Sequence, residues 1–343
     1  MIKNKSFLTI NNIKILLVII VSTLLFLSSL FNPNEALGLI ENYDLNFYNG
    51  DSPLFTPTYD GSNQAVHPSV IYVKDRFNGF KYWMAITPYP NGNDDYENPQ
   101  ILVSNDGVNF TYFKTLNSYL DIPNDVKLGG HYSDVNLCYA NNQLELYFRY
   151  NPHMKNKLQP DNGTNFVYVM KSKDGLNWSK KQLVLSNSTF KEKYNYVSPT
   201  IIYDNNVYNI WFSNYSTNLY HTSTKDWINF EPVSTCNFPQ KPDNISIWHH
   251  DIIKTAEGYE IIISAYEDKN SGVQNLYHST SKDGVDFSGF KLTLKPSTGS
   301  GFDNCSLYKA SLVKLSDKYL LYYSARNKTG QWHIGLAKRM GEH

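Results

Sequence analysis

Residues Asn165–Phe190, NFVYVMKSKDGLNWSKKQLVLSNSTF, decide the fold. An apolar run ends in Ser172-Lys-Asp-Gly-Leu-Asn-Trp178, and a second strand-like run follows. Asp-Gly between apolar runs signals a tight turn, because Gly accepts the positive φ that such turns need. The unit recurs as Ser104-Asn-Asp-Gly-Val-Asn-Phe110, Ser223-Thr-Lys-Asp-Trp-Ile-Asn-Phe230 and Ser281-Lys-Asp-Gly-Val-Asp-Phe287. The chain is a repeat protein.

With 343 residues there is enough chain for one large β domain. Charge is balanced, 31 basic against 31 acidic residues, so there is no basic footprint for nucleic acid. The 27 tyrosines suit strands, and they equally suit clefts that bind sugars.

Lys3, Lys5 and Lys14 precede an uncharged run, Ile15–Phe31. Its length lies between that of a signal peptide and that of a spanning helix, so a cleaved signal and a retained anchor both fit. Either places the rest of the chain outside the cytoplasm, secreted or membrane-anchored. Cys138, Cys236 and Cys305 allow at most one disulfide and show no metal-ligand spacing; free buried thiols are expected. Asn-X-Ser/Thr triplets, such as those at Asn162, Asn187, Asn214 and Asn327, carry little weight in so Asn-rich a chain.

From Val66 onward, short strands alternate with Gly, Asn and Pro turns in units of four. First strands are expected at His67–Val73, Asp134–Tyr139, Ser198–Tyr203, Asp251–Lys254 and Lys309–Lys314. The last unit lacks a fourth strand, and Tyr43–Tyr48 is placed to supply it and close the ring. The reading is all-β, a five-bladed β-propeller over 66–343. An N-terminal hydrophobic helix (signal or anchor, 1–37) and a linker with the ring-closing strand (38–65) precede it.

The recurring strand, hairpin and Ser-x-Asp-Gly-x-x-aromatic order over Val66–Lys338 resembles the five-bladed propeller glycoside hydrolases. These are the arabinanase and β-xylosidase type (glycoside hydrolase family 43) with their invertase and levansucrase relatives. The resemblance implies a site at one mouth of the channel, with an Asp, an Asp and a Glu from the first strands of blades one to three. Blade two supplies Asp134, whereas blade one offers His67-Pro68-Ser69 and blade three Tyr196-Val197-Ser198-Pro199. The chain diverges in the catalytic carboxylates.

Glycoside hydrolysis needs one carboxyl to protonate the leaving oxygen and another to activate water or attack carbon. Asp134, Glu97 and Asp251 are the catalytic candidates. Glu97 lies in a loop stiffened by Pro99, and Asp251 follows His249 and His250. His67, His250, His249, Arg149, Trp248, Tyr196 and Arg326 are the substrate-binding candidates, the arginines as clamps for an anionic sugar. No HxH or HExxH spacing is present, so no metal or other cofactor is expected, with room only for a structural channel cation such as calcium. The expected function is hydrolysis of an extracellular or cell-surface polysaccharide by a monomer; the membrane is touched only through the N-terminal segment. A non-catalytic propeller that binds glycan or protein at the same mouth is the alternative.

Overall fold

The computed structural model describes residues 45, 47–152, 166–215 and 218–340. The expected N-terminal helix and the Asn162 triplet lie outside them. Blade one is β1 (Ala65–Phe77), β2 (Phe80–Pro88), β3 (Gln100–Ser104) and β4 (Thr111–Tyr112). Blade two is β5 (His131–Ala140), β6 (Gln143–Asn151), β7 (Phe166–Ser172) and β8 (Gln182–Leu185). Blade three is β9 (Val197–Asp204), β10 (Val207–Ser213), β11 (Leu219–Thr224) and β12 (Ser234–Thr235). Blade four is β13 (Ser246–Thr255), β14 (Gly258–Tyr266), β15 (Gln274–Ser281) and β16 (Phe287–Leu294). Blade five has three strands, β17 (Ser306–Lys314), β18 (Lys318–Arg326) and β19 (Trp332–Met340).

Each sheet is an antiparallel meander, and the first strands of successive blades touch all the way round the axis. The second strands are rich in apolar residues because both of their faces are covered by neighbouring blades. In β2, Trp83 and Ala85 enter the cluster shared with blade two, while Met84 and Ile86 enter the one shared with blade five. The same alternation in the other second strands produces one apolar cluster at each of the five blade interfaces.

The repeated turn fastens one blade to the next. Asp106, Asp174, Asp226 and Asp283 each accept two successive backbone N–H groups through Oδ1, at 2.7–2.9 Å. The residue after each Asp has positive φ, and this tip sits on an aromatic side chain of the preceding blade. Tyr322 donates to the Gly107 carbonyl (2.8 Å), and Trp211 Nε1 donates to the Gly284 carbonyl (2.7 Å). A Cβ on Gly175 would stand 2.3 Å from Trp83. Blade three has Trp227 at the tip, with φ 61°, where its ring meets Tyr147 of blade two at 5.3 Å. The bulk that blades one and three place in a middle-strand Trp is here carried by the turn.

Inside the channel a second set of links joins the blades. Ser69 Oγ accepts from Leu137 N (2.9 Å), Asn136 Oδ1 from Ile201 N (3.0 Å), Asp251 Oδ2 from Leu312 N (3.0 Å) and Ser311 Oγ from Val70 N (3.0 Å). These four residues also line a cavity of about 210 Å³ in the channel. Lys309, fully buried, reaches across the channel to the Val135 carbonyl at 2.7 Å.

Of the strand expected at Tyr43–Tyr48, Tyr43, Asp44 and Asn46 lie outside the described residues. Leu45 and Phe47 bond to Thr293 of β16, and the outer edge of β19 is met further on, where Leu54 N donates to the Ile334 carbonyl at 2.8 Å. Cys138, Cys236 and Cys305 are free thiols. Among the described residues, no helix is long and apolar enough to cross a membrane.

Gly175→Ala should destabilise the protein by about 1–3 kcal/mol in urea unfolding, since the added methyl overpacks Trp83. Gly61→Ala, with a similar φ but open space around it, should cost less. His221 packs on Trp211 with ring centroids 4.8 Å apart, and burial, opposed by Asp283, lowers its pKa from 6.5 to about 4. The unfolded chain therefore binds the extra proton in that window, and stability falls as pH drops from 6.5 to about 4. His221→Gln should flatten this slope in unfolding curves measured across that range.

Candidate active site

Every first strand is irregular at its mouth end. Register shifts fall between Val66 and Ser69, Ser133 and Asn136, Ile247 and His249, and Leu307 and Ala310; β9 is displaced opposite Trp211–Ser213. In blades one to three the residue at this point is left-handed: His67 (φ 55°), Asp134 (φ 54°) and Ser198 (φ 49°). Such bulges turn a side chain out of the strand's alternation, and strained non-Gly residues of this kind gather at functional sites. Here they aim three polar side chains into one small volume.

His67 Nε2 and His249 Nδ1 each lie 3.3 Å from Asp134 Oδ1. One ligand atom from each of these residues lies within 4.8 Å of the others. His67 Nε2, Asp134 Oδ1 and His249 Nε2 are buried and make no hydrogen bond. On its other side, His67 Nδ1 meets Thr87 Oγ1 at 2.9 Å, and His249 Nδ1 meets Ser198 Oγ at 2.5 Å. Arg149 Nη1 stands 3.4 Å from Asp134 Oδ2, and its Nη2 donates to the Tyr215 hydroxyl at 2.5 Å.

Glu97 follows the short turn Asp94–Tyr96, and Tyr132 N, donating to the Glu97 carbonyl at 2.8 Å, ties it to β5. Its carboxylate lies 3.9 Å from His67 Nδ1 and 3.8 Å from His131 Nε2. Burial and the nearby Asp134 charge push its pKa well above the usual range, against the pull of Arg149. Asp134 is buried as deeply, yet His249, His67, Arg149 and Lys309 outweigh burial and hold its pKa low. Burial lowers His67 to about 4 and holds His249 well below the usual imidazole range, with Asp134 opposing in both cases. At neutral pH the cluster therefore holds an ionised Asp134 and two neutral imidazoles, beside a Glu97 whose burial favours its protonated form.

Aromatic side chains line the mouth. Tyr308 packs edge-on against His249 (4.2 Å) and meets Trp332 at 5.3 Å, and its hydroxyl accepts from Trp248 Nε1 at 3.3 Å. Trp248 faces Tyr215 at 5.8 Å, and Arg326 lies over Trp332 at 5.9 Å.

No protein-family model matches the chain. A curated relative, the A type blood N-acetyl-α-D-galactosamine deacetylase of Flavonifractor plautii, is 23% identical over 335 residues, covering 83% of this chain. The chain spans 42% of that relative's length. The crystal structure of an N-acetylgalactosamine deacetylase from F. plautii, in complex with blood group B trisaccharide, superposes with a TM-score of 0.70. It is 20% identical and covers 87% of this chain and 96% of that one. An exo-1,5-α-L-arabinanase from a bovine ruminal metagenomic library superposes at 0.54, 14% identical, covering 81% and 92%. The fold is that of the propeller glycoside hydrolases.

The structure brings together Asp134, Glu97, His67, His249 and Arg149, with Trp248 and Arg326 at the rim. Three expected site residues lie elsewhere. Asp251 belongs to the inter-blade links, because it sits on the regular part of β13, past the irregularity that aims His249. His250 follows His249 on a strand, so its ring takes the opposite side and is sealed in at 1% exposure. Tyr196 is core: its hydroxyl donates to the Ser186 carbonyl (2.7 Å) and its ring packs on Phe212 at 5.0 Å. Ser198, Thr87, Tyr215, Tyr308 and Lys309 escape the sequence reading of the site. Only the polar residues interrupting apolar first strands hint at them.

Asp251→Asn should keep the bond from Leu312 N and leave both stability and turnover largely intact. Asp251→Ala leaves that buried N–H unpaired and should cost about 1–3 kcal/mol in urea unfolding. Loss of turnover in the folded Asn variant would return Asp251 to the catalytic set.

Proposed function

We propose that the chain is a carbohydrate hydrolase that removes an N-acyl group from an amino sugar, with a divalent cation held by His67, Asp134 and His249. One observation carries this reading. Three buried residues from three blades converge: His67 Nε2 and Asp134 Oδ1 make no hydrogen bond, and His249, its Nδ1 3.3 Å from Asp134 Oδ1, completes a set of ligand atoms within 4.8 Å of one another. Nitrogen and carboxylate ligands of this kind suit zinc and neighbouring transition metals. The expectation of no metal rested on local spacing, whereas these ligands come from blades one, two and four. A cation so held polarises an acyl oxygen and lowers the pKa of water.

The chain's own groups do the rest. Glu97, whose burial favours the protonated form, hands its proton to the departing nitrogen and takes back the one that the attacking water releases, and His131 steers that carboxyl. Burial keeps the Tyr308 hydroxyl protonated; its oxygen takes the Trp248 N–H, leaving its own hydrogen for the substrate. Overall, water adds to the acyl carbon, the C–N bond breaks, and a carboxylic acid and an amine leave. The deacetylase named among the relatives supports this reading. The Lys-flanked apolar segment near the N-terminus supports an extracellular glycan as substrate.

A second reading, cleavage of a glycosidic bond, is favoured by the split carboxyls: Glu97 pushed toward its protonated form and Asp134 ionised, on opposite sides of His67. One assay separates the two. The full chain is incubated with N-acetylhexosamine oligosaccharides, and both free acetate and new reducing ends are measured. Acetate alone is expected, abolished by EDTA and restored by zinc or manganese, with Asp134→Asn slower by about 10²-fold or more. Reducing ends without acetate, indifferent to EDTA, would establish the glycosidase instead. Neither product would remove both.

A further inference from the structure

Arg326 ends β18 on the rim of the mouth and is half-exposed. Its Nε is buried without a hydrogen bond, and Nη2 donates to Cys305 Sγ at 3.3 Å. Thiol sulfur is a weak acceptor for a charged donor. Among the described residues no carboxylate lies within ion-pair distance of Arg326, whereas Arg149, Lys171, Lys181, Lys254 and Lys314 each face one. The guanidinium is held over the Trp332 ring, and its charge reaches the hydroxyls of Tyr89 and Tyr266 on the two adjoining blades. Trp332 packs on Tyr308, and Tyr308 on His249. An aromatic layer thus separates this cation from the reacting cluster.

We propose that Arg326 forms an anion-recognising subsite, so that the glycan carries a carboxylate or sulfate on the unit next to the one that reacts. The proposal rests on the reading of the mouth as a carbohydrate site. Trp332 and Tyr308 supply flat apolar faces for sugar rings, and the guanidinium, bonded only to a weak sulfur acceptor, offers charged donors to a carboxylate or to a sulfate. Arg149 cannot serve in the same way, since Asp134 already neutralises it.

The test is calorimetric binding to the full chain of three probes. These are a hexuronate–N-acetylhexosamine disaccharide, the hexose–N-acetylhexosamine disaccharide of the same linkage, and the latter with a sulfate ester on the hexose. At low salt at least one acidic probe should bind about tenfold or more tightly than the neutral one. The acidic probe that gains identifies the anion, and the gain should shrink as salt is raised. Arg326→Gln should erase the gain, so that acidic and neutral probes bind alike, while Arg326→Lys should retain part of it. A thermal melt checks that both variants fold. Equal binding of all three probes, no binding of the acidic ones, or an undiminished gain in folded Arg326→Gln would overturn the subsite. Acetate release from neutral oligosaccharides judges the proposed reaction separately, so failure of the one does not masquerade as failure of the other.

Discussion

The structure depends on hydrogen bonds that leave one blade and end on the backbone of the next. In the channel, Ser69, Asn136, Asp251 and Ser311 each take an amide hydrogen from the adjoining first strand. Each such bond satisfies a buried N–H, so its loss costs more than its formation gains. At the periphery the Asp turns repeat the logic with aromatic side chains in place of amides. Both sets fix each blade's rotation about the axis. That rotation brings His67, Asp134 and His249 from three separate sheets into contact.

The mouth ends of the first strands break the regularity that the belt imposes. Left-handed His67, Asp134 and Ser198 each carry strain of about 1–3 kcal/mol. Flanking hydrogen bonds hold them there: Asp134 N lies 3.4 Å from His67 Nδ1, and His67 N donates to the Ser324 hydroxyl oxygen at 3.1 Å. Ser198 is held through His249. A regular strand would send these side chains into the blade interfaces, where apolar clusters would reject them.

Within the cluster, position alone separates the two carboxyls. Glu97 and Asp134 are equally buried, yet two imidazoles and a guanidinium surround Asp134, while Glu97 faces one polar edge of His67 and the Asp134 charge. One is pushed toward its protonated form and the other is held ionised. Lys309, buried beneath them, adds positive charge on the Asp134 side and anchors across the channel at Val135.

By itself the sequence determined the blades. Turn chemistry and strand period are local, and four Asp turns with intervening apolar runs settle the strand count, the register and the three-stranded last blade. Asp134 was also legible, because a charged residue opening an apolar first strand has few places to point. Tertiary structure alone decided which other polar residues join it. Asp251 and Asp134 look alike in the chain, each polar within an apolar strand. A bulge turns one into the mouth, and unbroken register keeps the other as a strut. Ligands drawn from blades one, two and four leave no spacing to read, because they meet through closure of the ring rather than through neighbourhood in the chain.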